Sequence, residues 1–241
     1  FPTGGTGAWA AVTLANGAPV MGRDQAIGWL FQILPFVEEN ARFQSAKVAN
    51  AQNELVKQPV GLYTCPARGQ PRLYGVTGAN APGRYLNDYA SLANHNNLPT
   101  ASDQYTGVVV RGTYTNTSPA FTATVNPVTA VMVTDGTSNT LAVAEKRVHV
   151  NKYRPASGND HWGDDRGWVD GWDADTVRLT NSQPAQDGLS DGGWAVGSPH
   201  PGGFLGMFAD GSVRPIRYTI TTAQLDRLAD RRDGGVPPAI D

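Results

Sequence analysis

Residues 159–194 form the part of the sequence richest in side chains that bind cations. They hold eight of the seventeen aspartates. Calcium prefers roughly six to eight oxygen ligands from carboxylates and backbone carbonyls, and a loop rich in Asp and Gly supplies both. We therefore predict that Asp164, Asp165, Asp170 and Asp173 bind calcium. The alternative is a solvated acidic surface whose aspartates cap turns.

The same segment carries aromatic side chains typical of a sugar-binding cleft. Trp162, Trp168, Trp172 and Trp194 are four of the six tryptophans, and they lie beside carboxylates. Glycosidases use two carboxylates that flank the scissile bond. The segment lacks glutamate, however, and tryptophan serves equally well to pin a loop over a sheet. An extracellular carbohydrate-binding or glycoside-cleaving module is therefore the alternative function. His161 has no second His or Cys at zinc-like spacing, so we expect no zinc site there.

His200 and Asp210 are a second candidate pair for metal binding or catalysis. If residues 203–209 form a strand, a rise of ~3.3 Å per residue separates its ends by roughly 20 Å. One metal ion cannot be bound by both side chains unless the Gly-rich loop doubles back. The other interpretation is a hairpin turn at Asp210-Gly211 and a structural hydrogen bond from His200. Pro199 disfavours Ser198 and His200 as nucleophile and base, so we assign no catalytic residue.

The composition favours sheets and ordered loops over a helical bundle. Asp outnumbers Glu 17 to 4, and the chain has 28 glycines and 17 prolines, residues that favour turns. At 40% hydrophobic and 17% charged, the 241 residues can bury a core and are not a disordered chain. The net charge of −2 argues against a nucleic-acid partner. We predict an α+β, mainly antiparallel β fold in one domain, residues 1–241.

Local patterns predict helices at about 25–45 and 221–232. In the first, apolar residues at 27, 30, 31 and 34 share one face, although Pro35 breaks or kinks the helix. In the second, Thr221 or Thr222 is the cap. Apolar runs around Asp-Gly turns predict hairpins at 130–144 and 203–216, and 108–110 is predicted as a strand. Residues 159–194 lack a core of their own and are expected to be a long loop over the domain.

Cys65 is the only cysteine, which excludes a disulfide within the chain. It is either a small buried apolar residue or the partner of a cysteine in a segment that is absent here. The sequence has no run of about 18 apolar residues and no visible signal peptide, and it opens on Phe1-Pro2-Thr3. We therefore expect a chain that has been processed or trimmed.

Five motifs in order along almost the whole chain carry a family resemblance. They are 29–39 (WLFQILPFVEE), 63–66 (YTCP), 87–90 (NDYA), 135–146 (DGTSNTLAVAEK) and 198–213, in which nine residues separate His200 from Asp210-Gly211. Together they resemble the prepilin-processing-associated H-x9-DG proteins (domain of unknown function 1559), which are abundant in planctomycete-type bacteria. The motif residues of interest are Asp135, Gly136, Glu145, His200, Asp210 and Gly211.

The resemblance implies a type IV pilin-like or major-pseudopilin-like protein, in which a hydrophobic helix precedes an antiparallel β head. It implies that this chain is the head without that helix, and that Cys65 pairs with a cysteine in the missing segment. Type II secretion major pseudopilins use calcium to order a loop, which adds weight to the calcium prediction. We expect a non-enzymatic subunit of an exported pilus or pseudopilus-like filament, in the cell envelope or outside the cell. Its expected partners are other pilin-like subunits, joined through the missing helix. If the alternative function holds, the expected partner is a polysaccharide. No membrane contact is expected for this chain.

Overall fold

The regular elements of the protein are short, in keeping with its many turn residues. The computed structural model describes residues 1–48, 50–75, 83–94, 105–117, 120–123, 125–154 and 162–240, with the backbone alone for 114–117 and 120–123. The strands are β1 (Leu14–Ala15), β2 (Ala18–Pro19), β3 (Leu73–Tyr74), β4 (Arg84–Tyr85), β5 (Tyr89–Ala93), β6 (Tyr114–Thr117), β7 (Ala120–Ala123), β8 (Leu141–Glu145), β9 (Val177–Leu179), β10 (Gly203–Phe208) and β11 (Val213–Arg217). The α-helices are α1 (Trp29–Gln32), α2 (Asn40–Ser45), α3 (Gln52–Leu55) and α4 (Thr222–Ala229).

A five-stranded sheet in the order β11-β10-β8-β5-β9 organises the fold. Its neighbouring strands are antiparallel except β5 and β9, which run parallel. β1–β2, β3–β4 and β6–β7 each form a separate two-stranded sheet. The predicted α+β class with a mainly antiparallel sheet is confirmed.

The predicted hairpin at 203–216 is present as β10 and β11. Along β10, Phe204 and Phe208 are buried while Leu205 and Met207 are exposed, the alternation expected of a strand with one covered face. Gly211 has a φ of +86°, which suits the tight turn at Asp210-Gly211. β11 is an edge strand, so the missing N–H of its proline breaks no ladder bond within the sheet.

Helix α4 covers one face of this sheet. Thr221 and Gln224 form a capping box at its start, as the Thr-rich sequence predicts. Leu225 and Leu228 pack with residues of β8, β10 and β11 in one buried cluster. The helix ends at Ala229, three residues before the predicted end, because the next residue is extended.

The helical segment predicted at about 25–45, with a break or kink at Pro35, is confirmed: it consists of α1, a 3-10 turn at Leu34–Phe36 and α2, since Pro35 cannot continue the α-helical ladder. Its apolar face is buried. Two other local predictions are wrong. The hairpin predicted at 130–144 has only its second strand, β8, because Ala130–Met132 is an exposed 3-10 turn. Residues 108–110 are buried but form only an isolated bridge to Thr3.

The predicted loop at 159–194, described from residue 162 onward, is part of the core. It contains β9, whose three residues are all buried and pair with β5. Trp168 and Trp172 lie in two different buried clusters. The many polar residues of this segment do not indicate a core position. They can be buried because ion pairs, described below, neutralise their carboxylates.

Among the described residues, we find no helix that combines the length and the apolar character needed to cross a bilayer.

Candidate functional site

Hydrogen bonds join the first four sequence motifs in series. The Tyr63 hydroxyl of the second motif donates to the Leu30 carbonyl of the first, at 2.6 Å. The Asp88 N–H of the third motif donates to the Tyr63 carbonyl at 2.8 Å. The Lys146 N–H of the fourth motif donates in turn to the Asp88 carbonyl at 3.0 Å. Segments far apart in sequence therefore meet at one place in the fold.

The fifth motif joins this assembly through Glu145, the last residue of β8. The Leu205 N–H donates to Glu145 Oε2 at 2.8 Å, and the other carboxylate oxygen, Oε1, lies 3.5 Å from His200 Nε2. The Cys65 thiol completes the cluster, since the three ligand-type atoms of Cys65, Glu145 and His200 all lie within 4.8 Å of one another. We call these three residues the Cys-Glu-His cluster.

The backbone around the cluster fixes its geometry. The Cys65 N–H donates to Asp88 Oδ2 at 2.7 Å, which places the thiol at the start of the Pro66–Arg68 turn. The His200 N–H donates to Ser198 Oγ at 3.0 Å. Cys65 and Glu145 are buried, whereas the His200 side chain is 41% exposed. The cluster is therefore closed on one side and open to solvent on the other.

The resting thiol is not an activated nucleophile. Burial, together with the hydrogen bond and the negative charge of Glu145, raises the pKa of Cys65 to about 11. A reactive cysteine needs a lowered pKa and an electropositive surrounding. Cys65 is free, and pairing with a cysteine outside this chain stays a prediction.

The two Asp-Gly motifs have structural roles. Asp210 accepts bonds from the Ser212 N–H and hydroxyl and closes the β10–β11 turn. Asp135 accepts the N–H groups of residues 233 and 234, at 2.7 and 3.1 Å, and so holds the segment after α4. Gly136 has a φ of +96°, as its turn requires. Since β10 separates His200 from Asp210, the two do not share a site.

Asp164 belongs to a buried ion-pair network. Its carboxylate contacts the Arg72 guanidinium, and it lies 2.7 Å from Lys146 Nζ. Burial opposes its ionisation, but these two cations outweigh that effect and hold the pKa of Asp164 well below its usual range. The charge of Asp164 is therefore already balanced within the protein, and calcium binding by Asp164 stays a prediction.

The same network fastens the Cys-Glu-His cluster to the core. Asp88 is 2.7 Å from Arg72 Nε and 3.1 Å from Arg68 Nη1, and Arg68 Nε is 2.8 Å from Asp187. All four side chains are at most 2% exposed. Sequence reasoning missed Arg68, Arg72, Lys146 and Asp187, since their partners lie far away in the chain and no local motif marks them.

The other three predicted calcium ligands surround one arginine. Arg166 lies 3.6 Å from Asp165, 3.7 Å from Asp170 and 3.3 Å from Asp173. Burial and neighbouring carboxylates, Asp175 among them, raise the pKa of Asp165 and of Asp170 to about 7 and that of Asp173 to about 6. The mutual repulsion of these carboxylates therefore exceeds the attraction that the single Arg166 guanidinium provides. Calcium binding there stays a prediction.

The four tryptophans do not form one exposed platform. Trp168 and Trp172 are 1% and 5% exposed, so they are core residues rather than surface contacts for a glycan. Trp162 is 49% exposed and packs against the partly buried Trp194, with ring centroids 5.6 Å apart. His161 lies outside the described residues.

The fold and the site define an α+β domain in which five separated motifs converge on a buried ion-pair network and a Cys-Glu-His cluster. Residues 1–222 match the model of a family described as "Protein of unknown function (DUF1559)". The chain belongs to this family. No curated protein and no solved structure matches the chain significantly.

Proposed function

We propose that this chain is the globular head of an exported pilin-like or pseudopilin-like subunit, which acts by assembly into a filament of the cell envelope. One observation carries the proposal: the sheet face opposite α4 presents exposed apolar side chains along β10 and β11. Leu205, Met207 and Val213 are 42%, 38% and 60% exposed.

The strand register places these side chains on one surface. Met207 is opposite Val213 in β11 and opposite Val143 in β8, and antiparallel partners share a face. A groove of about 170 Å³ runs beside them and is lined by Phe1 and Ile33 among other apolar residues. We call Leu205, Met207 and Val213 the open sheet face.

An apolar helix of a pilin-like subunit is the proposed occupant of the open sheet face. Burying a large aliphatic side chain completely contributes about 1.5–3 kcal/mol. Three side chains that are already partly covered thus supply a few kcal/mol per contact, which suits an interface repeated many times. Repetition of one heterologous contact produces a helical filament.

Two findings favour assembly over sugar chemistry. Two of the four tryptophans are in the core, which removes half of the predicted glycan platform. The motif aspartates accept structural hydrogen bonds: Asp210 within the β10–β11 turn and Asp135 from the segment after α4. Both observations fit a rigid scaffold with a packing surface.

The test places a charge on the open sheet face of the protein in its native cells. Leu205→Asp is expected to abolish recovery of the subunit in the sheared surface-filament fraction, while the total amount of protein is unchanged. Leu189→Asp is the matched control, because Leu189 is 80% exposed and lies outside the sheet. Equal recovery of wild type and Leu205→Asp in that fraction would contradict the proposal.

A further inference from the structure

The Cys-Glu-His cluster brings three different metal-ligating groups together from three separate parts of the chain. Cys65 precedes the Pro66–Arg68 turn, Glu145 ends β8, and His200 precedes β10. Thiolate sulfur, imidazole nitrogen and carboxylate oxygen together form a donor set typical of zinc, and soft thiolate disfavours magnesium or calcium.

The spacing of the cluster fits one tetrahedral ion. Zinc bonds of about 2.0–2.2 Å to nitrogen and oxygen and about 2.3 Å to sulfur place neighbouring ligand atoms roughly 3.4–3.6 Å apart. His200 Nε2 and Glu145 Oε1 are already 3.5 Å apart. No pair of the three ligand atoms is separated by more than 4.8 Å, so small side-chain rotations bring all three into range.

The Glu145 carboxylate supplies an independent sign that a ligand is expected here. Its side chain is 1% exposed, and Oε1 accepts no hydrogen bond from a nitrogen or oxygen donor of the described residues. Its other oxygen is held by the Leu205 N–H. The Cys65 thiol is only a weak donor to this carboxylate, so a buried negative charge remains, and a cation at this point compensates it. The hydrogen bond from the Cys65 N–H to Asp88 holds the thiol in place, as hydrogen bonds around metal ligands do in known metal sites.

We propose that Cys65, Glu145 and His200 bind one Zn²⁺ ion through Sγ, Oε1 and Nε2. The exposed edge of His200 lines a groove of about 410 Å³ that also contacts Leu205 and Pro215. This groove gives the ion a path of entry and leaves a fourth position for water, the arrangement of zinc sites with three protein ligands. The inference is independent of filament assembly.

The test titrates Zn²⁺ into the reduced, chelator-treated chain by calorimetry, with Co²⁺ absorption as a second readout. One Zn²⁺ per chain is expected, and Co²⁺ should show a thiolate charge-transfer band. Cys65→Ser and His200→Gln should each weaken binding at least about tenfold. His200→Gln alters a half-exposed side chain, so its fold should be intact. Asp210→Asn, in the same motif but outside the cluster, should bind as wild type does.

Three results would overturn the zinc site. One is the absence of Zn²⁺ binding by the reduced wild type. Another is unchanged affinity in both Cys65→Ser and His200→Gln, which would place any bound ion elsewhere. The third is a disulfide at Cys65 in protein taken from its native envelope, because a disulfide sulfur is not a thiolate ligand.

Discussion

Replacing Asp170 with asparagine should stabilise the protein at pH 8, whereas the same change at Asp164 should destabilise it. Both carboxyls are buried in the same segment, with 2% and 4% of their side chains exposed. Asp170 faces other carboxylates, and burial with the charges of Asp173 and Asp175 raises its pKa to about 7. Asp164 faces Arg72 and Lys146, which hold its pKa below the usual range.

The magnitude for Asp170 follows from its pKa, about 7 in the fold against an ordinary 3.8. A group whose pKa is raised by folding contributes stability below its unfolded pKa and loses it as the pH rises through the folded pKa. Three pKa units correspond to about 4 kcal/mol, of which roughly 3 kcal/mol is lost between pH 5 and pH 8. Coupling to the neighbouring carboxylates and Arg166 reduces this to about 1–3 kcal/mol. Asparagine never acquires the charge, so it recovers that amount at pH 8.

For Asp164 the sign is reversed. Its lowered pKa means that its contribution is present above pH ~4 and is lost only at more acidic pH. Asp164→Asn removes the carboxylate that pairs with the buried cations Arg72 and Lys146. Breaking a buried ion pair lowers the free energy of unfolding by about 3–5 kcal/mol. The destabilisation should therefore appear at both pH 5 and pH 8.

Thermal melting in a chelator at pH 5 and pH 8 checks both signs. One kcal/mol moves the melting temperature by about 2–4 °C in a protein of this size. Asp170→Asn should melt about 2–12 °C above wild type at pH 8 and above it by a smaller margin at pH 5. A lower melting temperature at pH 8, or the same shift at both pH values, would refute the electrostatic account of this segment.

Three further results are expected. Calcium should raise the melting temperature of the wild type at pH 8, and Asp173→Asn should remove most of that rise. A melting temperature that changes with neither calcium nor chelator would contradict the predicted calcium site. Gly171→Ala should cost about 3 kcal/mol or more in the free energy of unfolding, because its Cβ collides with the Gly7 carbonyl and lies 2.7 Å from the Ala26 carbonyl; a wild-type denaturation midpoint would contradict this packing. Thr221→Ala should cost about 1 kcal/mol through loss of the α4 cap, and unchanged urea unfolding would contradict that role.

The elements predicted correctly are those whose signals are local. The β10–β11 hairpin follows from an Asp-Gly turn between apolar runs, and the start of α4 follows from its cap and apolar spacing. The apolar run at 130–134 shows the limit, because Val131 is 86% exposed and tertiary contacts, rather than propensity, set its conformation.

The candidate site depends on contacts that no local pattern encodes. Arg72 and Asp164 are 92 residues apart, and Arg68 and Asp187 are 119 apart. The cluster forms because the pairing of β8 with β10 places Glu145 beside the start of β10, and His200 lies just before that strand. The motifs drew attention to Glu145 and His200, but their meeting with Cys65 required the fold.

Site-specific photo-crosslinking in the native cells tests the assembly role most directly. A photoreactive amino acid in place of Leu205 should crosslink to another pilin-like subunit, while the same group in place of Leu189 should not. The account predicts a specific adduct from the open sheet face alone. An exported, folded protein that gives no subunit adduct from position 205, or equal adducts from both positions, would contradict it.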